Sequence, residues 1–232
     1  MTMATKTTRK RTATTILQLR IELRGTKPKI WRRVLVPQTI TLRKLHSVIQ
    51  AVFGWSGGHL HEFIAGDGER FGSPDPMYDD AEAVSSDNVR LSTVLRSSTL
   101  SYVYDFGDYW DHRITVDKTL AGDPLLGLPF CIGGAGATPP EDCGGVSGYE
   151  DFVRAMADPD HPEHAHLAQW IGADTWDPAA LDSIEVNDRL GRSSYEQLTA
   201  RQEGLERTLT MQTWRQVCEL VVARPEVAEL TV

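Results

Sequence analysis

The chain has 232 residues, 41% of them apolar and 24% charged, with a formal net charge of −8. That length suits one large domain or a domain with an appendage, and the ordinary globular composition excludes a largely disordered chain. No apolar run approaches the roughly 18 residues of a membrane span. The Thr-, Lys- and Arg-rich start lacks the apolar stretch of a secretory signal. Three cysteines, Cys131, Cys143 and Cys218, are too few and too odd in number for a disulfide scaffold, so a soluble protein of the reducing cytoplasm is expected.

The charge is unevenly spread. Residues 1–44 hold 12 Lys and Arg against the single acid Glu22, a balance of +11, which leaves −19 for residues 45–232. Within the basic part, residues 1–14 carry Lys6, Arg9, Lys10 and Arg11, lack apolar periodicity and are expected to be a disordered tail. Such a tail is either an arm on nucleic-acid phosphates or a solubilising terminus. The acidic remainder would repel a polyanion unless the basic segment forms a face of its own.

Leu17, Leu19, Ile21 and Leu23 alternate with polar residues, the period of a half-buried strand. After a turn at residues 25–28, Ile30 to Val36 reads as a second strand with Ile30, Arg32, Val34 and Val36 on one face, stopped by Pro37. Thr41 then caps a helix whose apolar residues Leu42, Leu45, Val48, Ile49, Val52 and Phe53 recur at helical spacing, and Gly54 ends it. Residues 59–64 read as a strand with His59, His61 and Phe63 on one face and Leu60, Glu62 and Ile64 on the other. Gly66–Gly68 is a hairpin turn, residues 72–88 a polar loop, and residues 89–95 a short helix. Residues 100–106 and 109–116 form two strands joined through Gly107 and Asp108.

The Gly- and Pro-rich segment 122–148 reads as packed irregular structure. Helices are expected over 149–156 and 162–171, with a short turn of helix after Asp177-Pro178. A capping box at Ser193/Ser194 with Glu196/Gln197 starts a C-terminal helical extension over 192–232. Strands first and helices later predict an α+β fold: an antiparallel sheet of hairpins packed against helices, with a helical C-terminal part.

Three motifs carry chemistry. His59-x-His61 on a strand would present two imidazoles on one face, a geometry that chelates zinc or a similar divalent metal, with His112 as third ligand. The other reading packs these histidines beside Trp55 and Trp110. In Tyr104-Asp105-Phe106-Gly107-Asp108, the DFG tripeptide lacks every other kinase element. Asp105 and Asp108 either cap a turn or join His112 in a polar site. Pro139-Pro140-Glu141-Asp142-Cys143-Gly144-Gly145 sets two carboxylates and a thiol between rigid and permissive backbone. It is either a binding loop for a metal or a cationic partner, or a structural loop whose Glu141 and Asp142 cap the helix beginning near Tyr149 or pair with Arg32 and Arg33. Cys131 and Cys143, without CxxC spacing, are expected to be inert thiols. The histidines of residues 160–166 lack the HExxH order of a zincin.

Four stretches in this order, KPKIWRRVLVP (27–37), LHSVIQAVFGWSGGHLHEF (45–63), YVYDFGDYWDHRI (102–114) and PPEDCGG with the following GYEDF (139–152), resemble the plasmid pRiA4b ORF-3-like family over residues 15–191. Relatives of this kind are also labelled passenger proteins of insertion elements, under the name TnpR. The resemblance implies an α+β domain and residence on mobile DNA, and it brings no established activity. Two functional expectations follow. One is an accessory or binding protein whose loop 139–145 takes a protein or nucleic-acid partner. The other is a metal-dependent, hydrolase-like enzyme with His59, His61 and His112 as ligands and Asp105, Asp108, Glu141 or Asp142 as further ligand or general base.

Overall fold

The computed structural model describes residues 14–72, 84–95, 99–122 and 128–199. Alternating apolar residues make β1 (Thr14–Leu23) and β2 (Ile30–Pro37), which pair antiparallel with Leu19 opposite Val34 and Leu23 opposite Ile30. Burial along β2 alternates residue by residue, as one covered face requires. Arg32 occupies an inward position, as its place in the alternation indicated, and is 2% exposed.

Helix α1 (Leu42–Phe53) follows. The Thr41 hydroxyl accepts from the Lys44 N–H at 3.3 Å, and Gly54 closes the helix in the left-handed region at φ 75°. Its face Leu42, Leu45, Val48, Ile49, Val52 and Phe53 is buried in the same cluster as the inward strand residues. Each such side chain contributes about 1.5–3 kcal/mol of transfer free energy.

The chain continues through β3 (His61–Ile64), β4 (Arg70–Gly72), β5 (Val84–Ser85), α2 (Leu91–Val94), β6 (Thr99–Tyr104), β7 (Trp110–Gly122) and β8 (Phe130–Ala135). Together the strands form one eight-stranded sheet in the order β5-β4-β3-β6-β7-β1-β2-β8. All its pairs are antiparallel apart from β4 with β5. Helices α3 (Gly145–Ala157), α4 (His164–Ile171) and α5 (Ser183–Thr199) complete an α+β fold. Among the described residues, no helix is long and apolar enough to cross a membrane.

Three expectations need correction. The strand at residues 59–64 begins only at His61, because Gly57, at φ 76°, and Gly58 carry the chain in as a loop. The segment 122–148 contains a strand, β8, whose Gly133 and Gly134 lie opposite Arg33 and Arg32. Gly134 has no room for a side chain, since a Cβ would meet the Trp31 carbonyl and Leu181. The last helix starts at Ser183, not at Ser193. The Asp182 carboxylate accepts from the N–H groups of Ile184 and Glu185, both at 2.9 Å, and α5 runs on through Ser193 and Ser194, crossing the boundary at 191/192. Buried Asn187 ties α5 to the sheet, accepting from the Cys131 N–H at 2.8 Å and donating to the Cys131 carbonyl at 2.9 Å. The tail with Lys6, Arg9, Lys10 and Arg11, most of the 72–88 loop, and everything after residue 199 lie outside the described residues.

Candidate metal centre at the mouth of a cleft

Three separate segments converge at one end of the sheet: the loop before β3, the β6–β7 turn, and the 139–145 loop before α3. The β6–β7 turn is closed by the Tyr109 N–H on the Asp105 carbonyl at 2.6 Å. Asp105 Oδ1 accepts from the Gly107 N–H at 2.9 Å, which leaves Oδ2 facing away from the turn. Asp105 and Tyr109 both hold left-handed backbone, at φ 56° and 57°. Aspartate tolerates this region and tyrosine does not, so strain is stored at this turn.

The 139–145 loop is fastened to its surroundings residue by residue. The Trp55 indole donates to the Pro139 carbonyl at 3.0 Å. Glu141 accepts from the Ser56 N–H at 3.0 Å, the Ser56 hydroxyl at 3.1 Å and the Tyr104 hydroxyl at 2.6 Å. Burial, and then the neighbouring Glu141, raise the Tyr104 pKa, so the phenol keeps the proton it donates. Asp108 accepts from the Gly144 N–H at 3.1 Å. Gly145, at φ 68°, packs its bare α-carbon against the Asp108 carbonyl, and Gly148 does the same against the Cys143 carbonyl.

These fastenings set Asp142, itself at φ 59°, beside His59. His59 Nε2 stands 3.3 Å from Asp142 Oδ1, and Nδ1 stands 3.6 Å from Asp105 Oδ2. One donor atom from each of His59, Asp105 and Asp142 lies within 4.8 Å of the other two. Donors on one ion with bonds near 2.1 Å stand at most about 4.2 Å apart, so closing this set onto a cation takes shifts of roughly half an ångström. Asp142 and Glu141 also line a cleft of about 710 Å³, walled by Trp55, Trp170, Trp176 and Leu181 and by Glu185 and Arg189 of α5.

Among the described residues, His59, Asp105 and Asp142 are the donors that come together. His61 and His112 do not join them. His61 stacks on His46, centroids 3.6 Å apart and planes 8° from parallel. His112 is fully buried edge-on to Phe53 and Trp55, its Nδ1 2.9 Å from the Trp110 carbonyl. Burial pushes His46 down to about 3 and both His61 and His112 down to about 4, with the charge of His61 adding to the effect on His46, so all three stay neutral. Of the three predicted ligands, His112 lies beside Trp55 as the packing reading expected, whereas His61 packs against His46, Phe63 and Tyr102 instead of the tryptophans, and His59 stands edge-on to Tyr104 with its nitrogens towards the two carboxylates.

Glu141 and Asp142 neither cap α3 nor pair with the arginines. Arg32 donates to the carbonyls of Val52, Trp31, Ala135 and Gly136 and to the Thr138 hydroxyl, at 2.9–3.1 Å, while Arg33 pairs with Asp117 at 3.0 Å. Asp108 serves the loop and Glu62 is held by Arg70. Cys131 and Cys143 are free thiols, and burial pushes Cys143 up to about 12, which leaves it unreactive. Asp105 and Asp142 were both visible as carboxylates two residues before the glycines Gly107 and Gly144. Their meeting at His59 depends on contacts between residues far apart in sequence, which no local pattern records.

Comparison with known proteins agrees with this architecture. The chain is 37% identical over 177 residues to the uncharacterised protein y4hQ of Sinorhizobium fredii, covering 74% of this chain and 89% of that one. The crystal structure of MM3350 from Methanosarcina mazei, a protein of unknown function, superposes with a TM-score of 0.66 at 34% identity, over 74% of this chain and 97% of its own. The model of the plasmid pRiA4b ORF-3-like protein family matches residues 15–185, and the chain belongs to that family.

Proposed function

We propose that this protein binds a divalent cation through His59, Asp105 and Asp142 and uses it to hold a ligand at the mouth of the adjoining cleft. The observation that carries this reading is the convergence of three donor atoms, from three segments, within 4.8 Å. One imidazole with two carboxylates suits manganese, zinc or magnesium and leaves positions for water or a ligand oxygen. Because Asp142 belongs to both site and cleft wall, a ligand with an oxygen donor on an apolar body would reach the ion and the tryptophans together.

A metal-dependent hydrolase is the second reading, favoured by the same donors. A bound ion would supply an activated water, and Glu141, already accepting three hydrogen bonds, would position the loop without serving as base. The place on mobile DNA implied by the TnpR label is proposed on the resemblance alone, as is an accessory role there.

Full-length protein freed of metal with a chelator and titrated with Mn²⁺ and Zn²⁺ provides the test. At about 100 times Kd a bound ion adds about 2.7 kcal/mol, raising Tm by roughly 5–10 °C. His59→Ala and Asp142→Ala should not respond. A wild type without any shift, or variants that shift equally, would refute the site. Activity on phosphoester and carboxylester substrates in the presence of the ion separates the hydrolase from the binding protein.

A further inference from the structure

The basic N-terminal part does form a face of its own. Over residues 19–23, 30–34 and 112–116 the inward residues are apolar, apart from Arg32 and His112; on the other side of the sheet Ile16 and Gln18 are buried, and the neighbouring outward positions make a cationic surface on an otherwise acidic protein. Arg20, Arg24, Lys29, Arg33, Arg113 and Lys118 lie there with Glu22, Asp111 and Asp117. The alternation, with a β-bulge between Gln18 and Leu19 that adds Asp117 on β7, directs them outward together. Arg113 and Lys118 are exposed and have no ion pair among the described residues.

At the centre stands Trp31, half-buried, with Glu22 opposite it and Arg113 opposite Glu22 on the next strand. Arg20 and Arg33 are direct cross-strand partners, a like-charge pairing that costs a sheet stability. Both lean over Trp31, their guanidinium carbons 4.3 Å and 5.2 Å from the ring centroid. Among the described residues, the buried residues of α1, α3 and α5 join the cluster formed by the inward residues of the strands.

We infer that this sheet face binds single-stranded nucleic acid. The excess of cations is complementary to a phosphate backbone. An aromatic ring flanked by guanidinium groups offers bases the stacking partner that an acidic polypeptide would not use. A sheet face reached by splayed bases also suits a single strand better than the stiff surface of a duplex. Three adjacent strands span about 10 Å, room for two or three phosphates, so the expected salt slope is about −2. This face is separate from the His59 site and does not depend on the cation there.

The test is fluorescence anisotropy of the full-length protein with labelled twelve-residue oligo-dT and oligo-rU from 20 to 200 mM salt. The expected result is binding that weakens along the predicted slope. Arg113→Ala/Lys118→Ala, which alters only exposed side chains, should bind at least fivefold more weakly and lose about 1.4 from the slope. Trp31→Ala should also weaken binding at least fivefold, and Asp142→Ala should leave it unchanged. The inference is overturned by absence of binding at 20 mM salt. It is equally overturned if the double variant binds as wild type while Lys6→Ala/Arg9→Ala/Lys10→Ala/Arg11→Ala abolishes binding, which would place the contact in the tail. Competition by polyglutamate or by duplex DNA as effective as that by the single strand would likewise overturn it.

Discussion

Arg32 shows how one inward charge organises the region next to the site. It is 2% exposed and has no carboxylate partner among the described residues, and burial lowers its pKa to about 10. All five of its N–H groups are donated to oxygen, four acceptors being main-chain carbonyls from three segments. The guanidinium thereby joins the end of α1, the start of β2 and the chain leaving β8, which leads into the 139–145 loop. Arg32→Leu keeps only an apolar stem, leaves space and strands those carbonyls, each costing about 1–3 kcal/mol when buried unpaired. A loss of at least about 3 kcal/mol in urea unfolding is expected. Arg32→Lys, with three donors on a flexible stem, should recover only part of it. Arg32 was legible as inward from the alternation of β2, but its partners were not, because carbonyls carry no sequence signature.

At the scale of elements, the site depends on how closely α3 and its preceding loop approach their neighbours. Gly148, in the first turns of α3, has the Cys143 carbonyl where a side chain would begin. Gly148→Ala therefore has to push residues 142–143 away from the β6–β7 turn. Asp142 should then leave His59, with cation affinity falling at least tenfold while the sheet stays folded. Calorimetric titration beside circular dichroism measures both, and unchanged affinity would show that the loop does not set the site. The elements themselves were largely readable where side chains dictate them: β1, β2 and α1 follow their apolar periods and caps. Strand β8 was not, since Phe130–Ala135 ends in small residues and its strand character comes from pairing with β2. The start of α5 was misplaced because Ser193 and Ser194 imitate a cap inside a helix already begun at Asp182.

The whole molecule divides its polar chemistry by location. Neutral histidines lie in the aromatic interior, His59 meets two carboxylates at the end of the sheet, and cations gather on its outer face. The interior histidines make stability depend on pH in a definite direction. Their folded values, about 3 for His46 and about 4 for His61 and His112, lie below the ordinary 6.5. Above that pH both folded and unfolded chains hold them neutral, and they add no pH dependence. As pH falls from about 6.5 towards 4, the unfolded chain takes up protons that the folded one refuses, so stability declines by up to about 1.4 kcal/mol per pH unit for each histidine. His112→Gln, which can still donate to the Trp110 carbonyl, should flatten the decline by about one proton's worth in denaturation series between pH 4 and 7. An unchanged slope would show that His112 does not titrate in the unfolded chain alone.

The central claim, that His59, Asp105 and Asp142 form a cation site, is tested most directly by anomalous diffraction from crystals grown with Mn²⁺. The account predicts one strong peak about 2.2 Å from a ring nitrogen of His59 and from carboxylate oxygens of Asp105 and Asp142, absent in Asp142→Ala crystals. A peak elsewhere, or none at these residues under saturating metal, would contradict it.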